Sequence, residues 1–298
     1  MDDTAARFTD RCREIHDLGE IQALLEWDQQ VTLPPRGTEQ RGAQMAALAG
    51  LIHARLTDPA LGELILALDS HKDLGEDLRA DLREARRARD RAVKIPAALV
   101  TTRAEACALA QAAWVEARRT DDFGLFRPHL EKVLDLTRQV AAAIGTPDPY
   151  DALLDEYEPG MTAAALHQLF SSLRPRLTTL LDRIQGAARR PDPGILKRPC
   201  PAAAQEAFCR RLMADQGYDL SAGRLDVSVH PFTSGTFGDV RITTRYDERW
   251  LPGALFGLLH EAGHAIYEQG LDPARYRDPA GATCSATREW SRVSWRKD

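Results

Sequence analysis

Several things are scarce in this sequence, and each shortage narrows what the protein can be. No run of apolar residues is long enough to cross a bilayer, so no membrane-spanning helix is expected. The opening stretch MDDTAARFTDRCREIHD has no apolar core of the kind a secretory signal carries, and a cytoplasmic protein is expected. There are only five cysteines (Cys12, Cys107, Cys200, Cys209 and Cys284), scattered and without metal-type spacing. They read as reduced thiols, partly in the core; Cys200 and Cys209 could pair, but nothing local demands it. Basic residues are outnumbered, 39 Lys and Arg against 44 Asp and Glu, for a net charge of −5. With no basic stripe interleaved with aromatics, neither nucleic acid nor an anionic membrane is expected as the main partner. Internal repeats and low-complexity tracts are absent.

What remains is the composition of an ordinary globular protein, 44% apolar and 28% charged over 298 residues, enough for one or two domains. The first two-thirds is helical by pattern. Phe8, Cys12, Ile15 and Leu18 recur at helical spacing and lead into IQALLEWDQQV, which TLPPRGT then breaks. Thr38 is placed to cap a second helix carrying Met45, Leu48, Leu51, Ile52 and Leu56 on one stripe. GEDLRADLREARRARDRAVK has its acidic residues early and its basic residues late, as the helix dipole favours, and reads as a solvated face. Further helices are expected after Pro96, over 123–144, after Thr162 and over 201–216. The Pro-rich ARRPDPGILKRPC separates an N-terminal helical region, 1–190, from a second region, 191–298. There GRLDVSVHPFTSGTFGDVRITTRY is the one convincing β segment, a small hairpin. Val240, Ile242 and Thr244 alternate with Arg241, Thr243 and Arg245, giving one apolar-leaning and one charged face.

Just after the hairpin comes ALFGLLHEAGHAIYEQG, with H-E-x-x-H in an amphipathic helix. Residues four apart lie on neighbouring turns of one face, so His260 and His264 can reach one cation. Imidazole nitrogens suit Zn²⁺, and a catalytic zinc site takes three protein ligands and a water. Glu261, about a quarter-turn from His260, is placed to contact that water as general base. Leu255, Leu258, Leu259, Ala262 and Ile266 would pack the helix into the core. His230 in HPFTSG either lines the same cleft and helps to stabilise an oxyanion, or only defines a His-Pro turn. Arg241, Thr243 and Arg245 form either a peptide-binding strand edge or a solvated face.

HPFTSG, DVRITTRY and LLHEAGHAIYEQGL, in this order and spacing, resemble the M32 metallocarboxypeptidases, the thermostable carboxypeptidase Taq family. LLEWDQQVTLPPRG and YDALLDEYEPGMT resemble the N-terminal half of that family. The resemblance covers residues from about 5 to 285 and implies a mostly α, gluzincin-like helical peptidase fold with a deep groove. It also implies a zinc-dependent carboxypeptidase of broad specificity acting on peptides, Co²⁺ often standing in for Zn²⁺, and commonly a cytoplasmic homodimer. His260 and His264 are then metal ligands and Glu261 the base; His230 and Arg241 are the substrate-binding candidates on the residue pattern alone. The family's third ligand is the first Glu of a segment like H-E-S-Q-S-R-x-W-E-N. Aligned without gaps, that position is Trp290; Glu289 stands one residue early, a turn of about 100° on a helix. Glu289 is the candidate third ligand if the local backbone compensates. Family members continue with a second large helical portion, so a C-terminally truncated member, one incomplete peptidase domain, is expected. A catalytically impaired homologue that binds zinc weakly or acts as a helical interaction module is the alternative.

Overall fold

A computed structural model describes residues 2–71 and 73–281. Ten α-helices and one small sheet make up the described chain: α1 (Asp2–Val31), α2 (Thr38–Thr57), α3 (Pro59–Asp69), α4 (Glu76–Ala92), α5 (Ala97–Thr120), α6 (Phe123–Ile144), α7 (Pro149–Tyr157), α8 (Ala163–Gln185), α9 (Ala202–Asp215), β1 (Gly223–Val227), β2 (Thr233–Thr236), β3 (Asp239–Thr244) and α10 (Leu251–Gln269). The mostly α fold with a small β element beside the motif helix is as the sequence implies. Among the described residues no helix is long and apolar enough to cross a membrane.

The helical region has its own core, in which Phe8 and Cys12 of α1 meet Leu61, Leu64, Ile65 and Leu68 of α3. α3 is not among the helices expected from the sequence, although its start is well marked. Asp58 accepts a hydrogen bond from the Ala60 N–H at 2.9 Å, and Pro59 occupies the first turn, where no N–H is needed. The α2 stripe also differs from expectation. Its buried side carries Arg41, Gly42, Met45 and His53, whereas Leu51 is exposed. Arg41 is tolerated inside because its guanidinium donates to Leu25 O and Asp28 and its Nε to Gln44. Thr38 caps nothing with its side chain; its hydroxyl donates back to Pro35 O at 3.0 Å.

The charged run of α4 is more than a solvated face. Arg87 binds the Asp155 carboxylate at 3.1 Å, and Arg91 binds Ala152 O at 2.8 Å and Glu156 at 2.6 Å, clamping α7. The hairpin belongs to a three-stranded sheet in the order β1-β3-β2, with β1 parallel and β2 antiparallel to β3. β3 is therefore the central strand and offers no free edge to a peptide. Gly235 and Gly238 make the turn possible at φ +92° and +88°; a Cβ at Gly235 would strike Asp239 O.

Candidate metal centre

The motif helix is held by apolar packing along one side. Ala254, Leu258, Ala262 and Ala265 lock against Val240 and Ile242 of β3, Leu225 of β1 and Cys209 and Met213 of α9. Small residues every three or four positions let the helix lie close to the sheet. At its end, Gln269 donates to Asp219 O at 2.9 Å and accepts from the Asp219 N–H at 2.9 Å, tying α10 to the segment before β1.

This packing turns His260 and His264 the same way. Their Nε2 atoms lie 3.3 Å apart, with the ring planes at 80°. Two nitrogens bound at about 2.0–2.1 Å to one tetrahedral ion stand about 3.3 Å apart, so the observed pair fits two positions of a zinc sphere. Burial, and then the neighbouring His260, hold His264 below its ordinary pKa, which keeps its imidazole in the neutral, ligating form. Among the described residues no third His, Cys, Asp or Glu completes a metal-holding group. Glu289 and the in-register Trp290 lie outside the described residues.

Glu261 points inward and is only 6% exposed. Thr233 of β2 donates from Oγ1 to its Oε2 at 2.8 Å. Burial raises the Glu261 carboxyl above its ordinary pKa, opposed by the Thr233 hydroxyl and by His260. A carboxylate raised in this way, yet held by one neutral donor, is a stronger base than one in water.

His230 is half-buried at the bend between β1 and β2. Its carbonyl accepts from the Ser228 and Thr243 hydroxyls, and the following Pro231 ring lies against α10 at Gly257, three residues before His260. Thr243, expected on the charged face, is fully buried: its Oγ1 accepts from the Phe232 N–H at 2.9 Å and lies 2.8 Å from the Ser228 hydroxyl oxygen, fixing the HPF bend. Arg241 forms an ion pair with Asp239 at 2.7 Å and lies 4.3 Å over the Trp27 ring, which also meets Arg224 at 5.0 Å. That stack couples α1 to the sheet. Of the candidate residues, the structure brings His260, His264 and Glu261 together on α10.

Thr233 is not among the candidates expected from the sequence, although it stands in HPFTSG; its signal is a hydroxyl at an inward strand position beside the motif helix. The anchoring of the segment after α10 is likewise unexpected from the sequence. Arg275 binds Asp81 at 2.9 Å, the Ala280 N–H donates to Asp81 at 2.8 Å, and Arg13 binds Asp278 at 2.8 Å. The chain leaving the motif helix is thereby pinned to α1 and α4.

The Thermostable carboxypeptidase 1 of Thermus thermophilus is 44% identical over 287 residues, covering 92% of this chain and 56% of its own. Carboxypeptidase 1 of Bacillus subtilis is 37% identical over 270 residues, covering 90% of this chain and 54% of its own. The crystal structure of the M32 carboxypeptidase from Deinococcus radiodurans superposes with a TM-score of 0.79 at 39% identity, covering 99% of this chain and 61% of that one. The chain thus spans about half the length of the curated relatives it matches. With the family model for carboxypeptidase Taq (M32) metallopeptidases matching residues 7–291, the chain belongs to the M32 metallopeptidase family.

Proposed function

We propose that this chain carries the metal-binding helix and the general base of a zinc-dependent carboxypeptidase that removes C-terminal residues from peptides with broad specificity. The observation that carries this reading is the convergence of the His260 and His264 Nε2 atoms, 3.3 Å apart, beside the buried Glu261. His260 and His264 hold the metal, with Glu289 as third ligand, and Co²⁺ can replace Zn²⁺. The ion, when bound, supplies Lewis acidity, lowering the pKa of water and polarising a carbonyl. Glu261 takes the proton of the water that attacks the scissile carbonyl and returns it to the departing amine. Thr233 holds the carboxylate in position for both transfers. His230 serves the substrate from the bend beside α10, and Arg241 from the central strand. The region 191–298 carries the chemistry and 1–190 supports it; the protein works in the cytoplasm, as a homodimer.

A second reading has one observation in its favour: among the described residues only two ligands converge. On that reading the chain binds zinc weakly through its two histidines, without turnover. Zinc per chain, measured together with release of C-terminal residues from a test peptide, separates the two. The enzyme reading expects stoichiometric zinc, release that Glu261→Gln abolishes, and a zinc Kd raised by Glu289→Ala. Zinc binding without any release establishes the second reading, and a Kd unchanged in Glu289→Ala removes Glu289 from the ligand set.

A further inference from the structure

A cleft of about 710 Å³ lies along α4, within the ~300–1,000 Å³ of small-molecule sites, and no residue of α9, α10 or the sheet lines it. Arg79, Arg83, Arg86, Arg87 and Arg91 line it from α4, and Lys94 from the turn that follows. At about 100° per residue the five arginines fall within an arc of about 140° and a length of ~18 Å. Asp69 of α3, Ile144 of α6 and Asp155 of α7 contribute from the other elements. Asp81, which takes Arg275, lies outside that arc, so the cleft is separate from the anchor of the segment after α10.

Six cationic side chains meet three carboxylates there, Asp69, Asp90 and Asp155, in a chain whose net charge is −5. Like charges on adjacent turns repel, so such a stripe costs helix stability unless anions answer it. The protein's own anions answer part of it. Arg87 and Arg91 are taken by Asp155 and Glu156 of α7. Arg79 donates to Leu74 O at 2.9 Å, and Arg83, its side chain 69% exposed, pairs with its neighbour Glu84. Arg86 Nη2 stands 3.0 Å from the Asp69 carboxylate without the alignment of a hydrogen bond. Among the described residues no carboxylate pairs with Arg79 or Lys94. The helix dipole favours Arg91 and Lys94 at the C-terminal end but disfavours Arg79, near the N-terminal one.

Cations in a row on one wall match an anion with its charges in a row. Each phosphoryl group offers several acceptor oxygens, in the geometry that a guanidinium fork binds two at a time. We propose that this cleft binds a small molecule bearing a chain of phosphoryl groups, with Arg79, Arg83, Arg86 and Lys94 as its partners. The acidity of the chain as a whole disfavours a nucleic acid strand as the occupant.

Binding, read without turnover, tests this independently of the function proposed above. In calorimetric titration of the whole chain at about 0.1 M salt, affinity is expected to climb from inorganic phosphate through pyrophosphate to tripolyphosphate. Arg79→Gln with Arg83→Gln, both exposed and neither held by α7, is expected to keep the far-UV spectrum and weaken tripolyphosphate binding about tenfold. Arg127→Gln with Arg211→Gln removes the same charge outside the cleft and should leave the affinity unchanged. His264→Ala should leave it unchanged as well, which separates the cleft from chelation at the metal centre. ATP binding more tightly than tripolyphosphate assigns the site to a nucleotide, and equal affinities assign it to the phosphoryl chain itself; both uphold the proposal. Citrate binding as tightly as tripolyphosphate overturns it. So does the absence of binding at millimolar tripolyphosphate, or binding that His264→Ala abolishes while Arg79→Gln with Arg83→Gln leaves it intact.

Discussion

The Thr233 hydroxyl, on the β2 strand, lies 2.8 Å from Oε2 of Glu261 and 2.9 Å from the carbonyl oxygen of the same residue. It has a single proton, and that carbonyl is already an acceptor within α10, so the proton serves the buried carboxylate. Removing it leaves a buried acceptor short of a partner, at a cost of about 1–3 kcal/mol. Thr233→Val is therefore expected to lower stability by that amount, and Thr233→Ser to restore most of it. In a Glu261→Gln background the loss is expected to shrink. Urea denaturation of the four variants gives the coupling; equal losses in both backgrounds would show that the two side chains do not interact.

The same relationship shows what the sequence makes legible. H-E-x-x-H spacing alone places His260, Glu261 and His264 on neighbouring positions of one helix, because the helical repeat is local. Thr233 and Glu261 are 28 residues apart, and their meeting depends on how the hairpin packs against α10. Periodicity shows the alternation of β3 but not its neighbours, so β1 joining on one side turned an expected edge into a central strand. On α4, composition shows many charges but not that Arg87 and Arg91 would find α7 carboxylates more than sixty residues away. Local rules predicted elements; the partners of charged and hydroxyl side chains had to be seen.

Arg275 stands among Asp77, Asp81 and Asp278, with Asp81 at 2.9 Å and Asp278 at 3.6 Å. Asp81 and Asp278 are both buried. Burial already pushes the Asp81 carboxyl up, against the Ala280 N–H and Arg275. Arg275→Ala leaves these carboxylates without their shared cation, and the expected loss is about 3 kcal/mol by chemical denaturation. Adding Asp81→Asn should recover part of it. A loss within the scatter of surface substitutions would mean that the anchor of the post-α10 segment lies elsewhere.

Cys12 is buried in the α1–α3 core beside Asp81 and Asp278. Burial first, and then the two carboxylates, push its thiol up to about 12. Cys209 is also buried and raised, by burial and then Glu206, while Cys107 and Cys200 are half-buried; none of the four is in a disulfide. Thiolate is the reactive form, so iodoacetamide at pH 8 is expected to label Cys107 and Cys200 well ahead of Cys12 and Cys209. Peptide mass spectrometry after timed labelling reads the order. Cys12 reacting as fast as Cys200 in the native protein would contradict the burial of α1 against α3.

Asp28 titrates in the opposite direction. The Thr32 hydroxyl and then Arg41 hold its carboxyl below the usual value. A group whose folded pKa is depressed binds fewer protons folded than unfolded in the window between the two values. Its stabilising contribution is complete above the unfolded value, near pH 4, and is lost as pH falls through the folded one. Asp28→Asn is therefore expected to lower the urea midpoint at pH 7 and to unfold with a flatter acid limb. The two proteins should converge in stability as the pH falls through the depressed folded value. Because Asp28 takes Arg41 Nη2 while Leu25 O takes Nη1, the variant also tests whether that buried arginine needs its carboxylate. Parallel acid limbs in the two proteins would show that Asp28 titrates alike in the folded and unfolded chains.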